Sequence, residues 1–159
     1  GMGAYAPTNL VDDILYEKVK QRIIRPTLDA MAQENAPFEG VLFLGLMVVV
    51  NEPYTLEFNV RFGDTECEVL MPLFQTPVSE LFYKAAIHQL KDLQVVFKKQ
   101  YAVGVVMASA NYPYSNSAPT EIILDEVVDE EIALYSHISY AGVVKENSIL
   151  LAKGGRIKV

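Results

Sequence analysis

The chain has 159 residues, of which 51% are apolar and 21% are charged, a composition typical of a folded globular protein. Its 13 Lys and Arg residues against 20 Asp and Glu residues give a net charge of −7. This balance lacks the basic surplus that binds nucleic acid or an anionic membrane, so neither is an expected partner. The longest apolar run, Val41–Val50, has only about half of the roughly 20 residues needed to cross a bilayer. The single cysteine, Cys67, cannot form an internal disulfide and no signal segment is visible, so a reducing cytoplasm is the expected compartment.

Two segments have apolar residues at helical spacing. From Leu10 to Met31 the spacing predicts an amphipathic helix that Pro26 kinks or restarts, because proline has no amide hydrogen to donate. A second helix is predicted over Pro77–Leu90. The opening segment, Gly1–Asn9, combines glycine, proline and small residues, which predicts a loop.

Strand patterns fill much of the remaining chain. Val41–Val50 is rich in branched residues, Asn51–Tyr54 has turn composition, and Thr55–Phe62 alternates polar and apolar residues, so a β-hairpin is predicted. Tyr101–Ser109 again has the pattern of a buried strand. After it come a loop, an acidic stretch at 125–131 and short strand-like pieces, which indicate a mostly β second half. The expected fold class is therefore α+β.

The second strand of the hairpin has the most informative chemistry. Glu57, Asn59 and Arg61 alternate with apolar residues, so they should project from one face, with Phe58 and Phe62 buried behind them. A carboxylate and an amide oxygen roughly 7 Å apart along a strand can ligate Mg²⁺ or Mn²⁺. A guanidinium next in line can clamp a carboxylate or a phosphate. The same three polar residues would also be common on the solvent-facing side of a half-buried sheet. On spacing alone, this structural interpretation is favoured over a metal site.

Four strings occur in order along the first half: Gly1–Pro7 (GMGAYAP), Arg22–Thr27 (RIIRPT), Gly40–Met47 (GVLFLGLM) and Leu56–Asp64 (LEFNVRFGD). Together they resemble the phosphoribosylamine–glycine ligases, a family of the ATP-grasp superfamily. Gly104–Ala108 and Gly154–Arg156 are similar to the C-terminal lobe of that family. The resemblance implies that residues 1–95 form the C-terminal half of an ATP-grasp domain. It also implies that residues 96–159 form part of a small, mostly β C-terminal lobe.

The resemblance also implies a reaction. In this family ATP phosphorylates the carboxylate of glycine, and the amine of 5-phosphoribosylamine displaces phosphate from the glycyl phosphate, a step of de novo purine biosynthesis. The resemblance implies that Glu57 and Asn59 hold Mg²⁺ or Mn²⁺ and that Arg61 is catalytic and binds substrate. The other substrate-binding residues that it implies are Gly1, Met2, Gly3, Ala4, Tyr5 and Asp64.

Members of this family are more than twice as long as this chain, so the resemblance implies a fragment. We expect that fragment to be inactive alone, and it could self-associate through surface left uncovered. Two alternatives stay open at this point: a non-catalytic remnant or assembly module, and a different ATP-grasp ligase that joins another carboxylate to an amine. The remaining candidates receive no role: His88, His137, Cys67, Tyr112 and Tyr114.

Overall fold

The computed structural model describes residues 1–115, 117–124 and 130–158. The chain forms two compact units, one of Tyr5–Ala102 and the other of Gly1–Ala4 with Val103–Val159. No helix in the described part is long and apolar enough to cross a membrane. Most of the acidic stretch predicted from the sequence, residues 125–129, lies outside the described residues.

Strands β1 (Gly3–Ala6) and β4 (Ala102–Val105) pair with each other. The loop predicted for the start of the chain is therefore wrong for residues 3–6. Its composition is that of a loop, but a strand about 100 positions further on supplies the hydrogen-bonding partner that local composition cannot reveal.

The first helical region begins at a clear cap. The carboxylate of Asp12 accepts a hydrogen bond from the amide of Leu15 at 2.7 Å, as an N-cap residue does. Pro26 lies in the first turn of a new helix, where its missing amide hydrogen costs nothing. The predicted helix and its restart at proline are thus confirmed. The region has three consecutive segments: α1 (Asp13–Val19), a π-helix (Lys20–Ile24) and α2 (Arg25–Gln33).

The predicted hairpin is confirmed, with a different turn. Strand β2 (Phe43–Val49) pairs antiparallel with β3 (Glu52–Asn59), which begins and ends three residues before the predicted Thr55–Phe62. The two residues between the strands, Val50 and Asn51, have φ values of 50° and 59°. Two successive positive φ values are the geometry of a two-residue hairpin turn whose twist matches the strands. The predicted turn at Asn51–Tyr54 is therefore largely strand.

The remainder of the first unit consists of short helices. The helix predicted over Pro77–Leu90 is present but shorter, because His88 with φ of 58° ends it. A short helix after the hairpin was not predicted, since five residues without a cap give no periodic signal. The segments are α3 (Glu66–Leu70), a 3₁₀ turn (Met71–Leu73), α4 (Val78–Ala86) and a second 3₁₀ turn (Leu90–Asp92). The buried apolar side chains of this unit are Leu15, Val19, Val69 and Leu73.

Among its described residues, the second unit is built mainly from short antiparallel strands. The elements after β4 are β5 (Met107–Ala108), β6 (Thr120–Ile122), α5 (Glu130–Tyr135), β7 (Val143–Glu146), β8 (Ile149–Ala152) and β9 (Arg156–Lys158). A three-stranded sheet has the order β6–β8–β7, and β5 pairs with β9. The buried apolar residues of this unit are Val106 and Ala152.

Candidate active site

The end of β3 carries two polar residues on one face. Glu57 and Asn59 are two positions apart, so both project from the same side of the strand and Phe58 projects from the other. Glu57 is exposed and Asn59 is half-buried. Across the hairpin they lie opposite Gly45 and Phe43, respectively. The two residues predicted as metal ligands thus lie side by side on one strand face.

A β-bulge lies directly before this pair. Glu57 is paired with Gly45, but the next residue of β2 is paired with Thr55, so β3 carries one extra residue, Leu56. Because of the extra residue, Thr55 and Phe58 can line the same groove although they are three positions apart. A regular strand would place them on opposite faces.

The groove has a volume of about 430 Å³ and lies between β3 and the helical region. Phe58 lines it with 47% of its surface exposed, so the prediction that Phe58 is buried behind the polar face is wrong. The helices cover this face of the hairpin only in part, which leaves the ring at the edge of an open groove. The lining residues are Arg22, Ile23, Pro26, Thr27, Ala30, Met31, Thr55 and Phe58.

Arg61 lies beyond the strand. The partner strand begins at Phe43, opposite Asn59, so the ladder ends there and the predicted common strand face does not extend to Arg61. The Arg61 side chain is exposed, and its Nη1 donates a hydrogen bond to the carbonyl of Phe62 at 2.8 Å. The Phe62 ring is half-buried and packs against Phe82, with ring centroids 6.2 Å apart.

The turn after Phe62 leads into α3. Asp64 is exposed, whereas the next residue, Thr65, retains only 1% of its surface. The amide of Cys67 donates to the carbonyl of Gly63 at 2.8 Å. Burial raises the pKa of the Cys67 thiol, and the carboxylates of Glu68 and Asp64 raise that pKa further. A thiol held protonated is a poor nucleophile, which agrees with the absence of a predicted role.

The amide of Asn59 has an unsatisfied end. Its Nδ2 atom is buried and has no hydrogen-bond partner among the described residues. A buried donor without a partner costs about 1–3 kcal/mol, and an acceptor such as a phosphate oxygen beside it would satisfy it. Within the described ranges, no group of three or more His, Cys, Asp or Glu side chains could hold a metal ion. One carboxylate and one amide fit Mg²⁺ or Mn²⁺ when phosphate oxygens and water complete the coordination.

The predicted substrate-binding residues at the start of the chain are divided between the units. Residues 1–4 belong to one unit and Tyr5 to the other. The carbonyl of Met2 accepts a hydrogen bond from the amide of Val106 at 3.0 Å, and the hydroxyls of Tyr5 and Thr8 are 3.2 Å apart. This backbone is thus held partly as a strand rather than as a glycine-rich turn. Its role in substrate binding stays a prediction.

The residues without a predicted role have surface or packing positions. His88 is exposed, and its Nδ1 lies 2.7 Å from a carboxylate oxygen of Glu39. His137 is also exposed. The ring of Tyr112 packs so closely on Gly155 that a Cβ there would lie 2.6 Å from the ring.

Two residues beside the site were not predicted to contribute to it. Gly45 lies beneath the Glu57 side chain, and the Glu66 carboxylate packs against Gly63 and near Phe43. A glycine inside a strand often marks a close approach, so the sequence carried a signal for Gly45. The sequence carried no such signal for Glu66, because only the conformation of the turn after β3 brings the Glu66 side chain close to Gly63 and Phe43.

Comparison with known family models finds a match for the first part of the chain. Residues 1–67 match the family model described as phosphoribosylglycinamide synthetase, ATP-grasp (A) domain. This match covers both the hairpin and the turn that follows it. The first part of the chain is therefore similar to an ATP-grasp domain.

Matches along nearly the whole chain are more specific. The phosphoribosylamine–glycine ligase of Helicobacter pylori J99 is 37% identical over 161 residues, which cover 99% of this chain and 37% of that protein. The ligase of Agrobacterium fabrum is 36% identical over 157 residues, with 99% and 36% coverage. A bifunctional purine biosynthetic protein of Schizosaccharomyces pombe is 33% identical, with 99% and 19% coverage. The predicted resemblance to phosphoribosylamine–glycine ligases is confirmed.

A solved structure extends the likeness to the fold. The crystal structure of the phosphoribosylamine–glycine ligase of Thermotoga maritima matches with a TM-score of 0.77 and 31% identity, over 99% of this chain and 37% of that chain. The predicted α+β, ATP-grasp-like fold is therefore confirmed. The chain spans about 37% of the length of the H. pylori and T. maritima relatives.

Proposed function

We propose that this chain supplies the metal-binding and carboxylate-activating part of a phosphoribosylamine–glycine ligase. The substrates would be ATP, glycine and 5-phosphoribosylamine, and the pathway would be purine biosynthesis. The observation that carries the proposal is the pair Glu57 and Asn59 on one strand face, which offers a carboxylate and an amide oxygen to a cation. The buried Nδ2 donor of Asn59 would suit a phosphate oxygen beside that cation. Both residues lie within the stretch that matches the ATP-grasp model.

The donor set defines the proposed metal chemistry. Glu57 and Asn59 would hold Mg²⁺ or Mn²⁺ shared with the phosphates of ATP. Such a cation, when bound, neutralises charge on the transferring phosphoryl group. The carboxylate of Glu57 is exposed, so it can reach a shared cation without first moving out of a core.

Arg61 and Asp64 would act on the substrate side. Arg61 would orient the glycine carboxylate or the moving phosphoryl group, because a guanidinium pairs with either through two parallel hydrogen bonds. Its side chain is exposed and donates a hydrogen bond to the neighbouring carbonyl of Phe62, so a modest rotation would make it available. Asp64, on the exposed turn three residues later, would position the glycine amino group. The backbone of residues 1–5 would contribute further contacts to substrate.

The wider assignments are part of the same proposal. Residues 1–95 would belong to the ATP-grasp domain and residues 96–159 to a C-terminal lobe rich in strands. A cytoplasmic location is supported by the single cysteine, which leaves no partner for an internal disulfide. Self-association through exposed apolar surface is a further expectation.

A Mn²⁺ titration of the ¹⁵N-labelled 159-residue chain tests the site. Paramagnetic broadening should begin at the backbone of Glu57 and at the side-chain amide of Asn59. Glu57→Gln should weaken this binding by at least about tenfold, since even changes outside the metal's direct ligands have effects of that size. Glu80→Gln, on α4 in the same unit, is the control for loss of one negative charge and should leave the binding unchanged. Broadening centred on the acidic stretch 125–131, unchanged in Glu57→Gln, would refute the proposed site.

A further inference from the structure

We propose that Gly45 is a positioning residue for Glu57: the absence of a side chain at Gly45 lets the Glu57 carboxylate lie across the hairpin in the orientation that the metal requires. The metal part of this inference rests on the proposed function. The steric part rests only on the geometry of β2 and β3.

Backbone conformation does not explain a glycine at this position. Gly40 and Gly142 are the glycines with positive φ in the described part of the chain, and Gly45 is not among them. An L-residue could therefore adopt the backbone of Gly45. Inside a strand, glycine is less stable than alanine by roughly 0.5–1 kcal/mol. The glycine must therefore serve some purpose other than conformational freedom.

The lack of room for a side chain explains why glycine is present at position 45. A Cβ added at Gly45 would lie 2.8 Å from Cγ of Glu57, 3.7 Å from its Cδ and 3.5 Å from its Oε1. All three nearest atoms belong to one side chain, so no backbone or core group obstructs a methyl group here. Because the Glu57 side chain is exposed and flexible, an added methyl group would displace that side chain rather than unfold the strand.

The bulge makes the contact specific to this pair. Gly45 is directly opposite Glu57, and the extra residue of β3 follows immediately on the turn side of the pair. Bulges increase the local twist and redirect nearby side chains. The Glu57 carboxylate is therefore aimed by two local features, the bulge beside it and the open space above Gly45.

Gly45→Ala separates orientation from stability. We expect it to weaken Mn²⁺ binding by about tenfold, as changes that misorient a ligand do. The melting temperature should change little, because the gain from replacing a strand glycine offsets the cost of shifting the Glu57 side chain. Met47→Ala is the control on the same strand, since Met47 lies opposite Tyr54 rather than Glu57, and it should leave the Mn²⁺ affinity unchanged. A residue with a merely structural role would lower the melting temperature and leave the Mn²⁺ affinity of the folded chain unchanged.

A metal-free measurement keeps this inference distinct from the proposed function. In ¹³C spectra without metal, Gly45→Ala should shift the Glu57 Cγ and Cδ resonances, and unchanged resonances would overturn the inference. If Glu57→Gln weakens Mn²⁺ binding but Gly45→Ala does not, the positioning role is wrong and the metal site stands. If Glu57→Gln has no effect, the proposed metal site fails, and with it the metal role of Gly45. In the Glu57→Gln background, Gly45→Ala should cause no further loss of affinity.

Discussion

Asn59 is proposed to contribute more to metal binding than to the stability of the fold. Its Nδ2 atom makes no hydrogen bond with the described residues, although the atom is buried. Removing a group that already lacks a partner breaks no interaction, and it can even stabilise a protein. Stability and ligand binding should therefore respond differently when this side chain is shortened.

We predict that Asn59→Ala will weaken Mn²⁺ binding by at least about tenfold. Its free energy of unfolding should fall by only about 1 kcal/mol, because the side chain is half-buried and its Nδ2 atom has no hydrogen-bond partner among the described residues to lose. Titration with Mn²⁺ and urea denaturation of the same sample measure the two quantities. A large loss of stability with unchanged metal affinity would show that Asn59 is a structural residue.

The turn of the hairpin has a residue poorly suited to its backbone. Val50 has φ of 50° and is 93% exposed. A left-handed conformation costs an L-residue roughly 1–2 kcal/mol, and a β-branched side chain makes this conformation rarer still. Asparagine and glycine are the residues that hairpin turns of this type favour.

Val50→Asn should therefore raise the free energy of unfolding by about 1 kcal/mol. Denaturant unfolding monitored by circular dichroism measures this change. Val48→Asn is the control, since that residue lies within β2 and its replacement by a poor strand former should destabilise the hairpin. A destabilised Val50→Asn variant would argue against the assigned turn.

A cluster of two ion pairs connects the hairpin to the first helical region. Glu52 accepts from Lys18 Nζ at 2.5 Å and from Arg22 Nη1 at 2.6 Å. The hydrogen bond from Lys18 is the main cause that lowers the pKa of Glu52 below its ordinary 4.5, and Arg22 adds to the effect. In acid the unfolded chain then takes up a proton at Glu52 before the folded chain does, so stability rises with pH across this window.

We predict that this stabilisation is present above pH 4.5 and is lost as the pH falls through the lower pKa of the folded state. Glu52→Gln should flatten the change in urea midpoint between pH 6 and pH 3, by an amount that solvent screening keeps small. Glu146→Gln removes a comparable surface pair with Lys153 in the other unit, and serves as the control. Equal pH dependence in Glu52→Gln and the unaltered chain would contradict the prediction.

Local hydrophobic patterns predicted which helices and strands of the hairpin unit are present better than they predicted where each one begins and ends. The runs around Val41–Val50 and Thr55–Phe62 revealed two paired strands, because branched and alternating residues are a local signal. The turn and the bulge could not be predicted, since both depend on the register that the whole hairpin adopts. The register also determines where β3 ends, and so Arg61 lies off the strand although its spacing fits one.

The candidate site could be predicted from the resemblance of the sequence Leu56–Asp64 to a known family, and not from the alternation of polar residues alone. Glu57 and Asn59 on one face would be unremarkable in any half-buried sheet. The resemblance of the surrounding string distinguished them, whereas the positions of Gly45 and the extra Leu56 beside Glu57 depend on the register of the hairpin.

At the scale of the whole molecule, the described residues expose an apolar stripe on β4. Val103 and Val105 project from one face of this strand, with 74% and 67% of their surfaces exposed. Tyr101 and Met107 continue the alternation on either side. Contiguous apolar surface of this kind usually marks a site of association.

We predict that the 159-residue chain will self-associate reversibly as its concentration rises. Analytical ultracentrifugation should give a mass above 17.7 kDa at high concentration. Val103→Ser combined with Val105→Ser should shift the equilibrium toward monomer, whereas the same change at Val50, which is outside the stripe, should not. A chain that is monomeric at every concentration would contradict this expectation.

Catalysis by this chain alone is not expected. Glu57 and Arg61 are exposed, and an open site cannot exclude water or align phosphates for transfer. The central claim, that these residues supply the metal and carboxylate side of the ligase reaction, therefore needs a context that completes the site.

The most direct measurement uses a chimera of the T. maritima ligase in which the matching 37% of that chain is replaced by this sequence. A coupled assay for ADP, with glycine and 5-phosphoribosylamine, reports the reaction. We predict ADP formation that requires both substrates. Glu57→Gln in the chimera should lower kcat/KM by at least roughly 100-fold, about 2.7 kcal/mol of transition-state stabilisation, whereas Glu80→Gln should have no effect. A folded chimera that forms no ADP, or one whose activity survives Glu57→Gln, would contradict the proposed function.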